Sequence, residues 1–199
     1  MNFNRRHFLG AVAVGSAGLV APRAFASVRA SAPPALLGRA KAALDAHGSS
    51  IIHRDVMGIV DFGVSSGQPR FHLIDIPGGR VAASYFVAHG RGSDPQNSGW
   101  LQHFSNQPGS NASSKGSFVI GETYYGKHGR SRRIKGLDPE NSQAASRAIV
   151  IHGASYVSPT GARQHGRVGR SLGCFSVPTR DINEVLANLG EGRLLFAWK

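Results

Sequence analysis

Apolar and polar positions divide this chain into short blocks punctuated by Gly, Pro and Ser. From Val56 onward, "VMGIVDFGV", "RFHLIDI" and "RVAASYFVAH" combine β-branched and aromatic residues with turn residues at either end, which predicts three strands. "SFVIGETYY" and "RAIVIHG" predict two more, and "RLLFAWK" a closing strand. Helical spacing occurs at two places. "PALLGRAKAALDAHG" puts Leu36, Leu37, Ala40, Ala43 and Leu44 on one face, with proline at its start and Gly48 past its end. "RDINEVLANLG" predicts a short helix with Asp181 as N-cap, Glu184 as its partner and Gly190 as the stop. "GSDPQNSG" and "SNQPGSNASSKG" are polar loops long enough to carry function. No internal repeat and no second domain boundary interrupts the pattern. The expectation is one mainly β domain with a few peripheral helices.

The first residues add a compartment. Arg5 and Arg6 precede an apolar run from Phe8 to Ala21, and Ala24-Phe25-Ala26 forms a small-x-small cleavage site. Residues 1–26 therefore read as an export signal, and the paired arginines followed by His7-Phe8-Leu9 fit the twin-arginine type. An uncleaved membrane anchor is the alternative, although the run falls short of the roughly 20 apolar residues a span needs. Residues 27–48 follow as linker and N-terminal helix, and 49–199 as the main domain, with no later stretch apolar enough to cross a bilayer. The formal net charge of +12 first suggests nucleic acid. Export disfavours that partner and favours an anionic one outside the cytoplasm, such as a carboxylate-rich cell wall or a membrane surface; a basic surface with no specific partner is the alternative.

The chain contains one cysteine, Cys174. In an oxidising compartment it has no internal partner, which leaves a core filler, an intermolecular cross-link or a reactive thiol. Its surroundings favour the last. "RAIVIHG" ends a buried strand on His152-Gly153, and twenty-two residues after His152 comes Cys174, in "GRSLGCFSVP". Gly173 and Ser171 put the cysteine in a tight turn, which exposes sulfur and lets backbone N–H groups converge beside it. Acyl transfer needs a thiolate, a base and donors for the oxyanion. Cys174, His152 and the N–H groups of Gly173 and Cys174 fill these roles. Arg167 and Arg170 stand close enough in sequence to favour the thiolate and to attract a carboxylate.

"IVIHGASY" followed by "GRVGRSLGCFSVP" resembles the active-site block of the murein L,D-transpeptidase catalytic domain family, with its YkuD-like domain. "FVAHGRGS", "FSNQPGSNASSKGSFVIGETYYGKHG" and "GLDPENSQAASRAIVIHGASYV" resemble the same branch in the same order, over roughly residues 50 to 198. The resemblance implies a β-sandwich-like domain with a groove beside the cysteine turn. It implies that Cys174 attacks the diaminopimelate–D-Ala carbonyl of a peptidoglycan stem peptide, that His152 is the base, that the Gly153 carbonyl orients its ring and that Ser171 is the motif hydroxyl. No cofactor or metal is implied, nor a partner beyond the stem peptides, and the protein is expected as a monomer in the periplasm. Two positions depart from the better-known branch: Leu172 stands where many members carry His, and Ser176 where Asn is usual.

Arg170, His89, His128, Ser105, Asn106 and Tyr124 are further candidates for substrate binding. His89 and His128 read as structural or substrate-groove residues rather than as catalytic bases, and Ser110–Ser114 either line the groove with Ser105 and Asn106 or form a solvated loop. Tyr124 and Tyr125 alternate faces, so at most one enters a groove. His47, His53, His72, His103 and His165 lack helix-spaced partners, which makes a zinc peptidase the minor reading. Three rivals to cross-linking thus remain: an L,D-carboxypeptidase with the same acyl-enzyme, a non-catalytic wall-binding module, and that zinc peptidase.

Overall fold

The most apolar runs become the middle of a single sheet. A computed structural model describes residues 34–199, so the expected signal over 1–26 lies outside the described residues. The order is α1 (Leu37–Ala46), β1 (Val56–Asp61), β2 (Phe71–Asp75), β3 (Arg80–Tyr85), β4 (Gly116–Gly126), β5 (Gly129–Gly136), β6 (Val150–Ala154), α2 (Pro159–His165), β7 (Phe175–Pro178), α3 (Ile182–Asn188) and β8 (Leu194–Trp198). The eight strands form one mixed sheet in the order β3-β2-β1-β8-β4-β5-β6-β7, parallel only at β1/β8 and β6/β7.

β1 and β8 are buried on both faces, which explains their uninterrupted apolar sequences. Val60 and Leu195 point into the larger core with Phe71, Phe118, Ile151 and Phe175, while Met57, Ile59, Leu194 and Phe196 point to the other face. α3 packs Ile182, Val185 and Leu186 into the first core, and α1 packs Ala40 and Leu44 onto the second. The two layers expected of a sandwich are halves of one continuous sheet whose ends meet. After β3 the chain runs beside β7: Ala88 N–H donates to Ser176 O at 2.9 Å, Ser171 N–H to His89 O at 2.9 Å, and Arg91 N–H to Ser171 O at 2.8 Å. The backbone groups at this seam are thereby paired, as burial requires. No helix among the described residues is long and apolar enough to cross a membrane.

One expected detail is corrected. Asp181 makes no side-chain cap to α3; its backbone is helical and its carboxylate pairs with Arg180 at 3.3 Å. Side-chain capping occurs instead at α2, which the sequence pattern did not announce. There Ser158 Oγ accepts from Gly161 N–H at 2.9 Å, and Gly166 ends the helix in the left-handed conformation.

Candidate active site

The groove lies where β6 and β7 run parallel. Their register sets His152 beside Ser176, and Cys174 is the last residue of the turn before β7. Phe175, the next residue, stacks on Phe62 at 6.1 Å and meets Phe118 edge-on at 5.4 Å. Burying such a ring stabilises by about 1.5–3 kcal/mol, so the turn is anchored from below. Gly173 has φ of +119°, and a Cβ there would sit 2.9 Å from Ala112 O, so only glycine fits. The turn also braces itself: Gly173 N–H donates to Ser171 Oγ at 3.1 Å, and Ser171 O–H donates to Cys174 O at 2.7 Å.

His152 is buried and held at both nitrogens. Nδ1 faces Gly153 O at 2.9 Å, and a carbonyl only accepts, so Nδ1 carries the hydrogen and Nε2 is the acceptor. Ser176 Oγ lies 2.9 Å from Nε2 and Tyr156 Oη lies 2.9 Å from Ser176 Oγ. Ser176 must then donate to Nε2 and accept from Tyr156. His128, at the tip of the β4–β5 hairpin, stacks on the His152 ring with centroids 4.2 Å apart. Burial holds the imidazolium form of His152 below its ordinary range; the Gly153 carbonyl opposes this, and His128 and Lys127 add to it.

Cys174 Sγ contacts Ala148 O at 3.6 Å, and the N–H groups of Val150 and Cys174 itself face the sulfur. Burial raises the thiol above the usual cysteine range, opposed by the Val150 N–H, Lys127, Arg147 and its own N–H. With the thiol raised and the imidazole lowered, the pair rests uncharged at neutral pH. Cys174 and His152 open into one cavity of about 440 Å³, which Lys127, Arg147 and Tyr156 also line. A partly buried thiol and a neutral imidazole with a defined acceptor nitrogen, sharing one cavity, are the groups nucleophilic acyl transfer requires.

A profile of the L,D-transpeptidase catalytic domain (YkuD_2) matches residues 32–198. The chain belongs to that family. No curated protein sequence matches it. Among solved structures, the chain is similar to an L,D-transpeptidase from Mycobacterium smegmatis, with TM-score 0.45 and 12% identity over 73% of this chain and 59% of that one. It is similar to an L,D-transpeptidase from Xylanimonas cellulosilytica, with TM-score 0.45 and 16% identity over 79% and 68%. It is also similar to L,D-transpeptidase 3 from Mycobacterium tuberculosis, with TM-score 0.41 and 14% identity over 73% and 61%. The chain thus spans less than two thirds of the Mycobacterium smegmatis protein's length.

Within this L,D-transpeptidase-family domain, Tyr124, His128, Arg170 and Ser171 line the groove with Cys174 and His152, and Leu172 stands 57% exposed at its rim. Tyr125 points away to solvent. Other expected residues are elsewhere. His89 is buried between Arg70 and Asp94, with Nδ1 2.8 Å from Arg70 Nη2 and Nε2 3.2 Å from Asp94 Oδ2. Ser105 and Asn106 brace loops: Ser105 Oγ accepts from Gln107 N–H, and Asn106 bonds Pro139 O, Ser142 Oγ and Gln143 N–H. Arg167 turns back to His165 O. The Gly173 N–H, expected as an oxyanion donor, is taken by Ser171. His47 pairs with Asp138 and His72 with Ser84, and neither is among the residues that line the groove. Sequence reasoning missed Lys127, Arg147 and Tyr156. Lys127 was next to a candidate in "GKHG", and Arg147 and Tyr156 open and close "RAIVIHGASY" around His152, but neither was singled out within that block.

Proposed function

We propose that this protein is an exported cysteine L,D-transpeptidase that cross-links peptidoglycan stem peptides through a thioester on Cys174. The observation that carries the reading is the shared cavity of Cys174 and a neutral, oriented His152; family membership and the resemblance supply the substrate class. The S–H proton passes to His152 Nε2 as sulfur attacks the diaminopimelate carbonyl. The C–N bond to D-Ala then breaks, and the proton returns to the leaving amine. An amine of a neighbouring stem resolves the thioester and restores the thiol. The Cys174 N–H, which faces the sulfur, is the oxyanion donor, and Arg170, Tyr124 and His128 contact the stem peptide.

Residues 1–26 serve as the export signal, 27–48 as linker and helix, and 49–199 as the catalytic domain in this reading. The Arg5-Arg6 pair supports the twin-arginine route to the periplasm. Export of a reporter fused to residues 1–26 should stop in Arg5→Lys/Arg6→Lys; continued export overturns that route. The central test is mass spectrometry of the protein incubated with disaccharide-tetrapeptide, beside Cys174→Ala. The expected result is loss of D-Ala with a dimeric muropeptide, absent in the variant. D-Ala release without dimer would make the enzyme a carboxypeptidase, and no reaction would leave a wall-binding module.

A further inference from the structure

Besides Arg170, the groove holds two cations, Arg147 and Lys127, that no carboxylate among the described residues neutralises. Arg147 sits between the polar loop 105–114 and the cysteine turn. Its Nη1 donates to Ser105 O and Ser114 Oγ, both at 2.7 Å, and its Nη2 to Ser110 Oγ at 3.2 Å and Ala112 O at 2.5 Å. All four acceptors are neutral. Its Nη2 lies 3.4 Å from where a Cβ on Gly173 would stand, so the guanidinium is packed against the turn that carries Cys174. Lys127 reaches the same cavity from the hairpin tip. Among the described residues neither cation lies within ion-pair distance of an acidic side chain.

A partly buried guanidinium fixed by neutral groups carries an uncompensated desolvation cost. That cost is offset when a negative charge forms beside it. Of the protein's own groups in this cavity, the one that gains negative charge when it ionises is the thiol. Arg170 differs: its Nη1 is turned onto the carbonyls of Asp94 and Pro95.

We propose that Lys127 and Arg147, rather than Arg167 and Arg170, form a two-cation site that stabilises the Cys174 thiolate. The inference rests on the reading of Cys174 as nucleophile. Arg147 supplies charge from a fixed position, because four hydrogen bonds define its fork. Lys127 supplies it from an exposed turn. Burial of the sulfur works against ionisation, and the two cations and two backbone N–H groups work for it.

Because Cys174 is the only thiol, alkylation by iodoacetamide reports on it alone. The rate is measured against pH in the wild type, Lys127→Met, Arg147→Met and Arg147→Lys, with folding checked by near-ultraviolet circular dichroism. Each Met variant should move the midpoint upward by about one pH unit, an alkylation rate near pH 7 about tenfold lower. Arg147→Lys, which keeps the charge, should stay within about threefold of the wild type. The Lys127→Met difference should fade in about 1 M salt, where the screening length falls to about 3 Å, and the Arg147→Met difference should persist. Midpoints unchanged in folded Lys127→Met and Arg147→Met overturn the proposal. If Arg147→Met does not fold, Lys127→Met and Arg147→Lys decide it: an unmoved midpoint in the first, or a full unit's rise in the second, overturns it. Alkylation needs no peptidoglycan, so this result stands apart from whether Cys174 acylates.

Discussion

At the scale of single residues, His152 poses a chemical problem. Its acceptor nitrogen, Nε2, already receives the Ser176 hydroxyl, and Ser176 in turn receives Tyr156. To take the thiol proton, Nε2 must exchange that partner for sulfur. Ser176 thus stabilises the neutral ring, reinforcing what burial does, and both favour a base that is unprotonated at neutral pH. Activity in kcat/KM should therefore rise on its acid side with a midpoint below the ordinary histidine value of about 6.5. Ser176→Ala removes a donor to the neutral form, so that midpoint should move upward. This hydrogen bond is given up when Nε2 takes the thiol proton. On the plateau kcat/KM should therefore rise by up to about fivefold, the equivalent of one net hydrogen bond of about 1 kcal/mol lost from the resting enzyme alone. Tyr156→Phe leaves the Ser176 donor in place and should move the midpoint less than Ser176→Ala does. A pH–rate profile of the three proteins checks both; equal midpoints would mean that Ser176 does not act on the base.

At the scale of elements, β5 shows why part of the fold escaped the sequence. β1 and β8 are apolar on both faces and were readable as strands. β5 carries Arg130, Arg132, Arg133 and Lys135 in eight residues, a pattern that resembles a solvated loop. It is a strand because its basic side chains have separate destinations. Arg133 pairs with Glu122 at 2.9 Å, while Arg132 is buried and donates to Leu186 O at 2.9 Å and Gly121 O at 3.3 Å. Leu186 O lies in the last turn of α3, where a cation complements the helix end. Arg132→Met leaves both carbonyls without this donor and should cost about 1–3 kcal/mol in urea denaturation. Cys174 alkylation should be unchanged; a loss of reactivity would tie β5 to the groove. β7 escaped for a different reason: four residues directly behind a turn show too little alternation. The site divides in the same way. Cys174 and His152 stood out by chemistry and flanking glycines. Lys127 comes from the β4–β5 turn, and Arg147 and Tyr156 from just before and just after β6, and they meet only in the folded sheet. His89 looked like a groove residue because it ends a strand before glycine, but the chain there turns into the seam.

At the scale of the whole molecule, that seam closes the sheet, and its chemistry sets the acid limit of stability. Arg70 is fully buried, donates to Val64 O, Val87 O and His89 Nδ1, and burial lowers its pKa to about 9. With Nδ1 accepting from Arg70, His89 donates from Nε2 to Asp94, and the ring is neutral. A second proton would have to enter on Nδ1, against the guanidinium. Burial and Arg70 lower the His89 pKa to about 4, Arg170 adding in the same sense and Asp94 opposing it. The unfolded chain binds that proton near pH 6.5, so the unfolded state holds more protons between pH 6.5 and 4. Stability should be level above about pH 6.5, fall through that window and level off below it. Asp94 and Asp55 also have lowered values, from a starting point of 3.8, so their contribution is lost only at still lower pH. The two effects occupy separate windows. His89→Gln keeps an acceptor and a donor but does not titrate, and should reduce the slope of the thermal midpoint between about pH 6.5 and 4 while leaving the steeper loss below it. The remainder of the slope comes from His72 and His152, whose values burial also lowers. If the slope in the upper window survives that substitution undiminished, the acid sensitivity belongs to another buried base, and His152 is the next to replace.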